Sequence, residues 1–490
     1  MGKVLMVQGT ASGVGKSLLA AGIIRYFARK GLRVVPFKAE NMSLNSGVTR
    51  DGREMARAQM LQALAAGVEP DVAMNPVLLK PEGEGIQVVI RGKVWKTVPP
   101  FSLHEEMSFL REVVIEAFTM LSSQADLVVA EGMGSPAELN LKERDIANMG
   151  FARLFQCPVI LVGDIERGGV FAALYGTWAL LTSEERALLR GFVINKLWGE
   201  KEVLKPGVKQ LEQLTGVPVL GVLPYRRFLL DDEDSLNLKI SGTKSPWRDV
   251  KIGVVALPHL ANTSDFQPLS LESDVGISFV APDEDLTPFD LLIIPGTKNT
   301  VEDLVFLHGC GFGQKLQEFL ALGKAVLGIC GGFQMLGLVV RDPQHCESSR
   351  EEVPGLGILR MVTEFRPGKV LRRVRGVWSV NPEAQMEGYE IHQGRSDFLA
   401  QYPPFFLLDP DEKEGAVIGG QVFGTYCHGI FDQGTFRRSF LNFLRAKKGL
   451  SPVTVVSPSW KEQLLRELDS LTDFLALHLD FFALERILGA

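Results

Sequence analysis

Short runs of uninterrupted apolar residues, each ending at a glycine, a polar residue or a charge, recur along this chain. Residues 4–7, 34–37, 127–130, 158–162 and 191–194 carry no polar alternation. Runs of that kind predict strands covered on both faces, as in a parallel sheet flanked by helices. Residues 217–225 complete this first set, and a second begins at Lys251, with strands predicted over 252–257, 291–294, 325–327 and 422–423. Between strands the apolar positions return at helical spacing, as at Leu18, Ala21, Ile24 and Phe27. Leu464, Leu468, Leu471 and Leu475 repeat that spacing near the C-terminus and predict either a packing helix or a partner interface. Two strand–helix sets predict an α/β fold in two domains, over 1–240 and 250–445, with a helical tail over 446–490. The charged DDEDS at 231–235 and the SGTKSP loop at 241–246 predict the linker. No internal repeat is present.

The first strand runs into GTASGVGKS at 9–17 and then into a helix. Strand, glycine loop and helix are the setting a phosphate-binding loop requires. Backbone N–H groups around Thr10, Gly13, Val14 and Gly15 would wrap phosphates at the helix N-terminus, with Lys16 adding charge and Ser17 an oxygen for Mg²⁺. Lys38 follows the second strand, where a lysine faces the ligand crevice of such a sheet, although spacing alone fits a surface lysine equally well. Glu131 ends a buried strand before a glycine, and Glu54 opens a predicted helix in REMARAQ at 53–59. With Ser17 they are the expected Mg²⁺ ligands, since that ion prefers hard oxygens. Asn195 ends the 191–194 strand, placed to read adenine or to cap the next turn. The glycine pair of ERGGVFAALYGT opens a helix suited to an anionic group.

The third strand of the second set leads into VLGICGGFQMLG at 326–337. Small residues around Cys330 match a nucleophile elbow, the sharp strand-to-helix turn that lifts one side chain above a sheet. The Gly331 N–H is one expected oxyanion donor, and PGTKNT at 295–300 lies where a second could come from. An unperturbed thiol, with a pKa near 8.5, is only roughly 3% thiolate at neutral pH. Cys330 therefore needs a base, and His428, at a strand end in GTYCHGIFD, is the expected one. A buried structural cysteine is the alternative. Glu390 and His392 share one strand face by period-two spacing, while Cys427 points away from the His428 face and is expected to be inert. Residues 341–354 look like an exposed loop.

Composition narrows the function without adding to it. The 490 residues are 46% hydrophobic and 22% charged, ordinary for a globular protein. A net charge of -6 argues against nucleic acid or an anionic membrane as the main partner. Five cysteines, Cys157, Cys310, Cys330, Cys346 and Cys427, show neither CxxC pairs nor metal-ligand spacing, which suits a reducing cytoplasm. The chain enters a strand at once and no uncharged apolar run approaches about 18 residues, so neither a signal peptide nor a membrane span is expected.

Ten motifs occur in a fixed order: GTASGVGKS, FKAENMSLNS, MNPVLLKP, EGMGSPAELNL with DIANMG, GDIERGGVFAALYGT, GFVINK, IIPGTKNT, GICGGFQMLG, GYEIHQGRS and GTYCHGIFD. With them, to about residue 445, the chain resembles the cobyric acid synthases, glutamine-dependent amidotransferases of cobalamin biosynthesis. The resemblance implies a P-loop parallel-sheet domain, dethiobiotin-synthetase-like, joined to a class I glutamine amidotransferase domain with a flavodoxin-like sheet. Thr10 in the first-glycine slot fits the dethiobiotin-synthetase branch, and Ala11 stands where MinD-like switch proteins carry an extra lysine. The related cobyrinic acid a,c-diamide synthases usually carry a longer substrate-site signature, absent here. Implied partners are ATP with Mg²⁺, glutamine, and the corrin adenosylcobyrinic acid a,c-diamide, amidated on its b, d, e and g propionates. Implied catalytic residues are Cys330 and His428. One departure from the wider glutaminase pattern stands out, since Gly429 and Ile430 follow His428 where an acid two places on is usual. Glu390 and Asp432 are the candidates for the orienting group, or else water or a backbone carbonyl.

Overall fold

The computed structural model describes residues 2–82, 85–230 and 248–489. The expected linker segments, 231–235 and 241–246, lie outside the described residues. The first apolar set forms a six-stranded parallel sheet in the order Val219–Pro224, Leu189–Leu197, Val159–Asp164, Lys3–Gly9, Leu127–Glu131 and Val34–Phe37. Lys3–Gly9 is central, so its C-terminal end is flanked by Glu131 on one side and the end of Val159–Asp164 on the other. Parallel strands all deliver their C-terminal residues to one edge, and that edge carries the glycine loop.

The helix Trp460–His478 returns to this sheet. Leu464, Leu468, Leu471 and Leu475 bury against Leu19, Ile23 and Phe27 of the helix Lys16–Arg29 in one apolar cluster. Burying a leucine is worth roughly 1.5–3 kcal/mol. The flanking pairs Arg25–Asp469 and Arg29–Asp473, partly or largely exposed, add at most about 1 kcal/mol each. Apolar burial therefore decides the docking, and the tail packs on the nucleotide-loop helix although more than 430 residues separate them.

The second set forms another sheet, in the order Val275–Val280, Val250–Val255, Leu291–Ile294, Ala325–Ile329 and Val422–Thr425, all parallel, closed by the antiparallel edge strand Ala416–Ile418. Two features were hidden from the apolar pattern. One is most of a long antiparallel hairpin, Met361–Trp378 with Asn381–Phe398, whose alternating charges mask its strands except around Glu390 and His392, where the spacing predicts a strand. The other is a small sheet of Glu40–Met42, Val77–Glu82, Gly85–Ile90 and Lys93–Val98 beside the first sheet.

Two local expectations need correction. Residues 54–56 are a strand, not a helix start: Glu54–Ala56 pairs with Ser46–Val48, and the helix begins only at Arg57. The reason is burial of the Glu54 carboxylate, which a solvent-facing first helical turn would not allow. The expected loop over 341–354 has strand pairs at its ends, Val339–Arg341 with Glu352–Pro354. Asp342, fully buried, ties its middle by accepting from the N–H groups of Cys346, Glu347 and Ser348.

Candidate active site

Two clusters of polar groups sit at the C-terminal edges of the two parallel sheets. In the first, Gly13 and Gly15 adopt the left-handed conformation that a tight loop around phosphates demands. The Thr10 N–H donates to Val162 O at 2.9 Å, anchoring the start of the loop on the neighbouring strand. Lys16, only 7% exposed, lays its ammonium on the carbonyls of Ala11 at 2.9 Å and Gly134 at 3.0 Å. Ser17 Oγ donates to Glu131 Oε1 at 2.7 Å, and Lys38 Nζ pairs with the same oxygen at 2.8 Å. Gln62 donates to Glu131 Oε2 at 2.6 Å. Lys38 is thus buried in the crevice and not on the surface, the placement its strand-end position allowed. Around these groups lies a cavity of about 700 Å³, bounded also by Asn41, Lys196 and the 225–228 segment.

Ser17 at the helix start and Glu131 at a strand end present a hydroxyl and a carboxylate oxygen side by side, a donor set that suits Mg²⁺. Glu54 belongs elsewhere. Its carboxylate, fully buried, takes Ser46 Oγ at 2.8 Å, the ammonium of Lys80, and Lys369 of the long hairpin at 3.3 Å. Burial opposes ionisation there, but the charges of Lys369, Lys80 and Lys298 prevail and hold it well below the usual carboxylate range. Glu54 is therefore engaged by Ser46, Lys80 and Lys369, whereas Ser17 bonds Glu131, so the contacts join Ser17 to Glu131 and give the expected role of Glu54 as a third metal ligand no support. The Asn195 amide donates to Val14 O at 2.8 Å, which ties it to the phosphate loop, and its carbonyl accepts from Lys196 N at 2.8 Å, the contact that fits the turn-capping alternative.

In the second cluster, strand register does the assembly. Ile329 pairs with Thr425, so Cys330 and the stretch leading to His428 leave the sheet side by side. The chain then crosses to the hairpin, where His428 pairs with Tyr389 and Cys427 with Glu390. Cys330 has φ 51° and ψ -108°, the strained backbone of an elbow. Its neighbours make room for it, since a β-carbon on Gly332 would lie 2.0 Å from Ile294 O. A β-carbon on Gly331 would lie 3.2 Å from Thr297 N, so the 295–297 turn abuts the elbow. In that turn the N–H groups of Lys298, Asn299 and Thr300 are occupied by His259 O, Thr297 Oγ1 and Glu347. That leaves those of Gly296 and Thr297 as the ones adjacent to Gly331.

His428 is fully buried, and its Nδ1 lies 2.7 Å from Asp265 Oδ2. Asp265 Oδ1 also accepts from the Gly429 N–H at 2.9 Å, so both carboxylate oxygens grip the histidine turn. Burial would depress the imidazole, but Asp265 and the Cys330 sulfur facing it outweigh burial and push its pKa up to about 10. The imidazolium is therefore the favoured form, suited to pair with a thiolate. The orienting acid is Asp265, not Glu390 or Asp432. Glu390 instead makes a two-pronged pair with Arg372, at 2.7 and 2.8 Å, and Asp432 caps the Gly429 turn through its backbone N–H. Asp265 stands in HLANTSDF after the strand Val250–Val255, and nothing in its local sequence marks it as a partner of a residue 163 positions away. Cys427 is buried, and burial pushes its thiol well up, which suits an inert group.

One segment touches both clusters. Lys38 and Asn41 line the nucleotide crevice, while Asn45 Oδ1 accepts from Asn262 N at 3.0 Å, and Asn262 Nδ2 lies 3.4 Å from His428 Nε2. Val48 packs on Tyr389, whose ring stacks on His428 at 5.3 Å between centroids.

Comparison with known proteins matches these halves one to one. Residues 5–235 match the CobQ/CobB/MinD/ParA nucleotide binding domain, and residues 251–436 match the CobB/CobQ-like glutamine amidotransferase domain. Fold and sites therefore define a glutamine-dependent amidating ligase, a P-loop domain joined to a glutamine amidotransferase domain. Many curated relatives carry the name cobyric acid synthase. Those of Citrobacter koseri and Streptococcus sanguinis are each 45% identical, over 98% and 100% of this chain and 97% and 99% of their own. A Clostridium botulinum relative is 44% identical over 99% of both chains. The chain belongs to the cobyric acid synthase family. Among the described residues no helix is long and apolar enough to cross a membrane.

Proposed function

We propose that this enzyme uses ATP and glutamine to convert the four propionates b, d, e and g of adenosylcobyrinic acid a,c-diamide to amides, giving adenosylcobyric acid in the cytoplasm. The labour divides between residues 1–240, which activate the carboxylate, and 250–445, which release ammonia; the 446–490 tail braces the first. Cys330 attacks the glutamine side-chain amide as a thiolate, forming a tetrahedral oxyanion that the N–H of Gly331 and of the 296–297 turn stabilises. The His428 imidazolium donates its proton to the departing ammonia and then, as base, draws a proton from the water that cleaves the glutamyl thioester. Asp265 holds the imidazole in position throughout.

A free carboxylate is a poor acyl donor, because its charge repels a nucleophile and oxide is a bad leaving group. Transfer of the γ-phosphoryl group of ATP to the propionate removes both faults. Ammonia then displaces phosphate. Lys16 and the loop N–H groups stabilise the charge that moves onto ADP. Ser17 and Glu131 are the residues that would hold Mg²⁺, whose chemistry when bound is to offset phosphate charge.

The observation that carries this reading is the single segment whose residues line the nucleotide crevice at Lys38 and Asn41 and hydrogen-bond, through Asn45, to the backbone of Asn262 beside His428. Its test is direct. Incubation with ATP, glutamine and the corrin diamide is expected to yield a product about four mass units lighter, one per O–H replaced by NH₂ in the acyl transfers. ADP formation with a corrin of unchanged mass would overturn the assignment.

Asp265→Asn provides a second test. Without that carboxylate the imidazole loses its main raising partner, and its pKa falls toward the ordinary value near 6.5. Glutaminase kcat/KM is expected to drop by about 10²–10⁴-fold, the range for a lost acid–base arrangement. The alkaline limb of its pH profile, set by loss of the imidazolium proton near pH 10 in the parent enzyme, should move to lower pH. A profile unmoved by the substitution would remove Asp265 from the site.

A further inference from the structure

Beside the nucleotide crevice lies a second cavity, of about 480 Å³, whose walls are largely apolar and include Met42, Leu79, Ile86 and Met107. The two cavities meet at Met42, Met133 and Gly134, and the Gly134 carbonyl, with that of Ala11, holds the Lys16 ammonium, at 3.0 Å. A carboxyl group reaching from the second cavity toward Lys16 would cross that junction. One ionisable side chain in the second cavity is unlike its neighbours. Glu40 is only 6% exposed, yet among the described residues its carboxyl has no hydrogen-bond or ion-pair partner. The buried Glu131 and Glu54 and the half-buried Asp145 of the same domain are engaged: Glu131 by Ser17, Lys38 and Gln62, Glu54 by Ser46 and two lysines, and Asp145 by the N–H groups of Ala147, Asn148 and Gly150. Leaving a carboxyl buried without a partner costs stability, and such costs are retained where a reaction uses the group.

We propose that Glu40 is the base of the amide-forming step, the group that takes the proton from ammonia as it bonds to the activated carboxyl. This rests on the acyl-phosphate reading above. The nitrogen lone pair attacks the acyl carbon, the C–N bond forms, and the C–O bond to phosphate breaks with its electron pair leaving on phosphate. The nitrogen, now carrying a positive charge, gives one proton to the Glu40 carboxylate, which passes it to the departing phosphate. Burial, reinforced by the Asp145 charge, pushes the Glu40 carboxyl up to about 7, where a carboxylate is a far better base than at its ordinary value. The position suits delivery as well. Glu40 opens the strand Glu40–Met42, and the chain running on from it reaches Asn45, which bonds Asn262 beside His428, the proposed source of ammonia.

The test replaces glutamine by ammonium chloride, so that the Cys330 site is not needed, and compares ammonia with hydroxylamine as the nucleophile. Hydroxylamine attacks acyl phosphates rapidly without a base. Glu40→Gln keeps the shape of the side chain, and ammonia-driven amidation of the corrin diamide should fall by about 10²–10³-fold while hydroxamate formation falls less than about threefold. Glu40→Ala should behave alike and regain ammonia-driven turnover when formate is added, which a merely structural role would not allow. Equal loss with both nucleophiles, ammonia turnover within about threefold of the parent, or no response to formate would overturn the proposal. A parent enzyme that forms no ADP with the corrin diamide and ammonia would instead sink the reading on which it rests.

Discussion

Cys330→Ala is expected to reduce glutamine-driven amidation by at least about 10⁴-fold, the scale on which removal of a covalent nucleophile acts. Ammonium chloride should still support amidation at close to the parent rate. The elbow itself survives the change, because its shape comes from the chain around it. Cys330 N donates to Thr425 O at 2.8 Å, Cys330 O accepts from Gln334 N at 3.0 Å, and Gly332 is seated against Ile294 O. The Cys330 thiol faces His428 and lies 3.6 Å from Ile391 O, and neither contact shapes the turn, so its removal costs chemistry and not fold. Amidation assays with each nitrogen source on the folded variant check this. Loss of the ammonia reaction as well would break the proposed division of labour.

Lys16→Ala should act on the other half. Its ammonium is the charge poised over the loop, held by two carbonyls that are themselves weak partners for a cation. Removing one fixed charge that stabilises developing negative charge costs about 10²–10³-fold. Amidation should therefore fall by that factor with glutamine and with ammonia alike. Labelling of Cys330 by a glutamine-like electrophile should continue, because the thiol and His428 belong to the other sheet. A variant impaired with glutamine alone would show that Lys16 serves communication between the halves instead of phosphoryl transfer.

Much of the site was legible because it is built from neighbours in sequence. GTASGVGKS announces its own loop, since left-handed glycines and a lysine at a helix start specify a conformation within nine residues. GICGGFQMLG announces the elbow in the same way. Glu131 could be placed at the crevice because it follows an apolar run, and parallel strands bring such ends to one edge, whereas for Lys38 the same spacing fitted a surface lysine equally well until the fold buried it. Glu54 was misplaced for the converse reason. Its environment is made by Lys80 and by Lys369, 315 residues away on a hairpin whose charged, alternating sequence does not advertise burial. Asp265 was missed because its partner is supplied across the second sheet, where the turn after Val250–Val255 meets the turn after Val422–Thr425.

What the chain determined alone were the two parallel sheets, the phosphate loop, the elbow and the placement of Cys330, His428, Lys16 and Ser17 at the ends of strands or the starts of helices, all consequences of backbone preference and apolar patterning over short stretches. Tertiary structure decided which acid orients His428, which carboxylate stays free beside the nucleotide crevice, that the C-terminal helix closes on Lys16–Arg29, and that one segment spans both sites. Those are contacts between residues far apart in the chain. Their geometry follows from strand register and the burial of apolar faces against each other, and no local pattern encodes either.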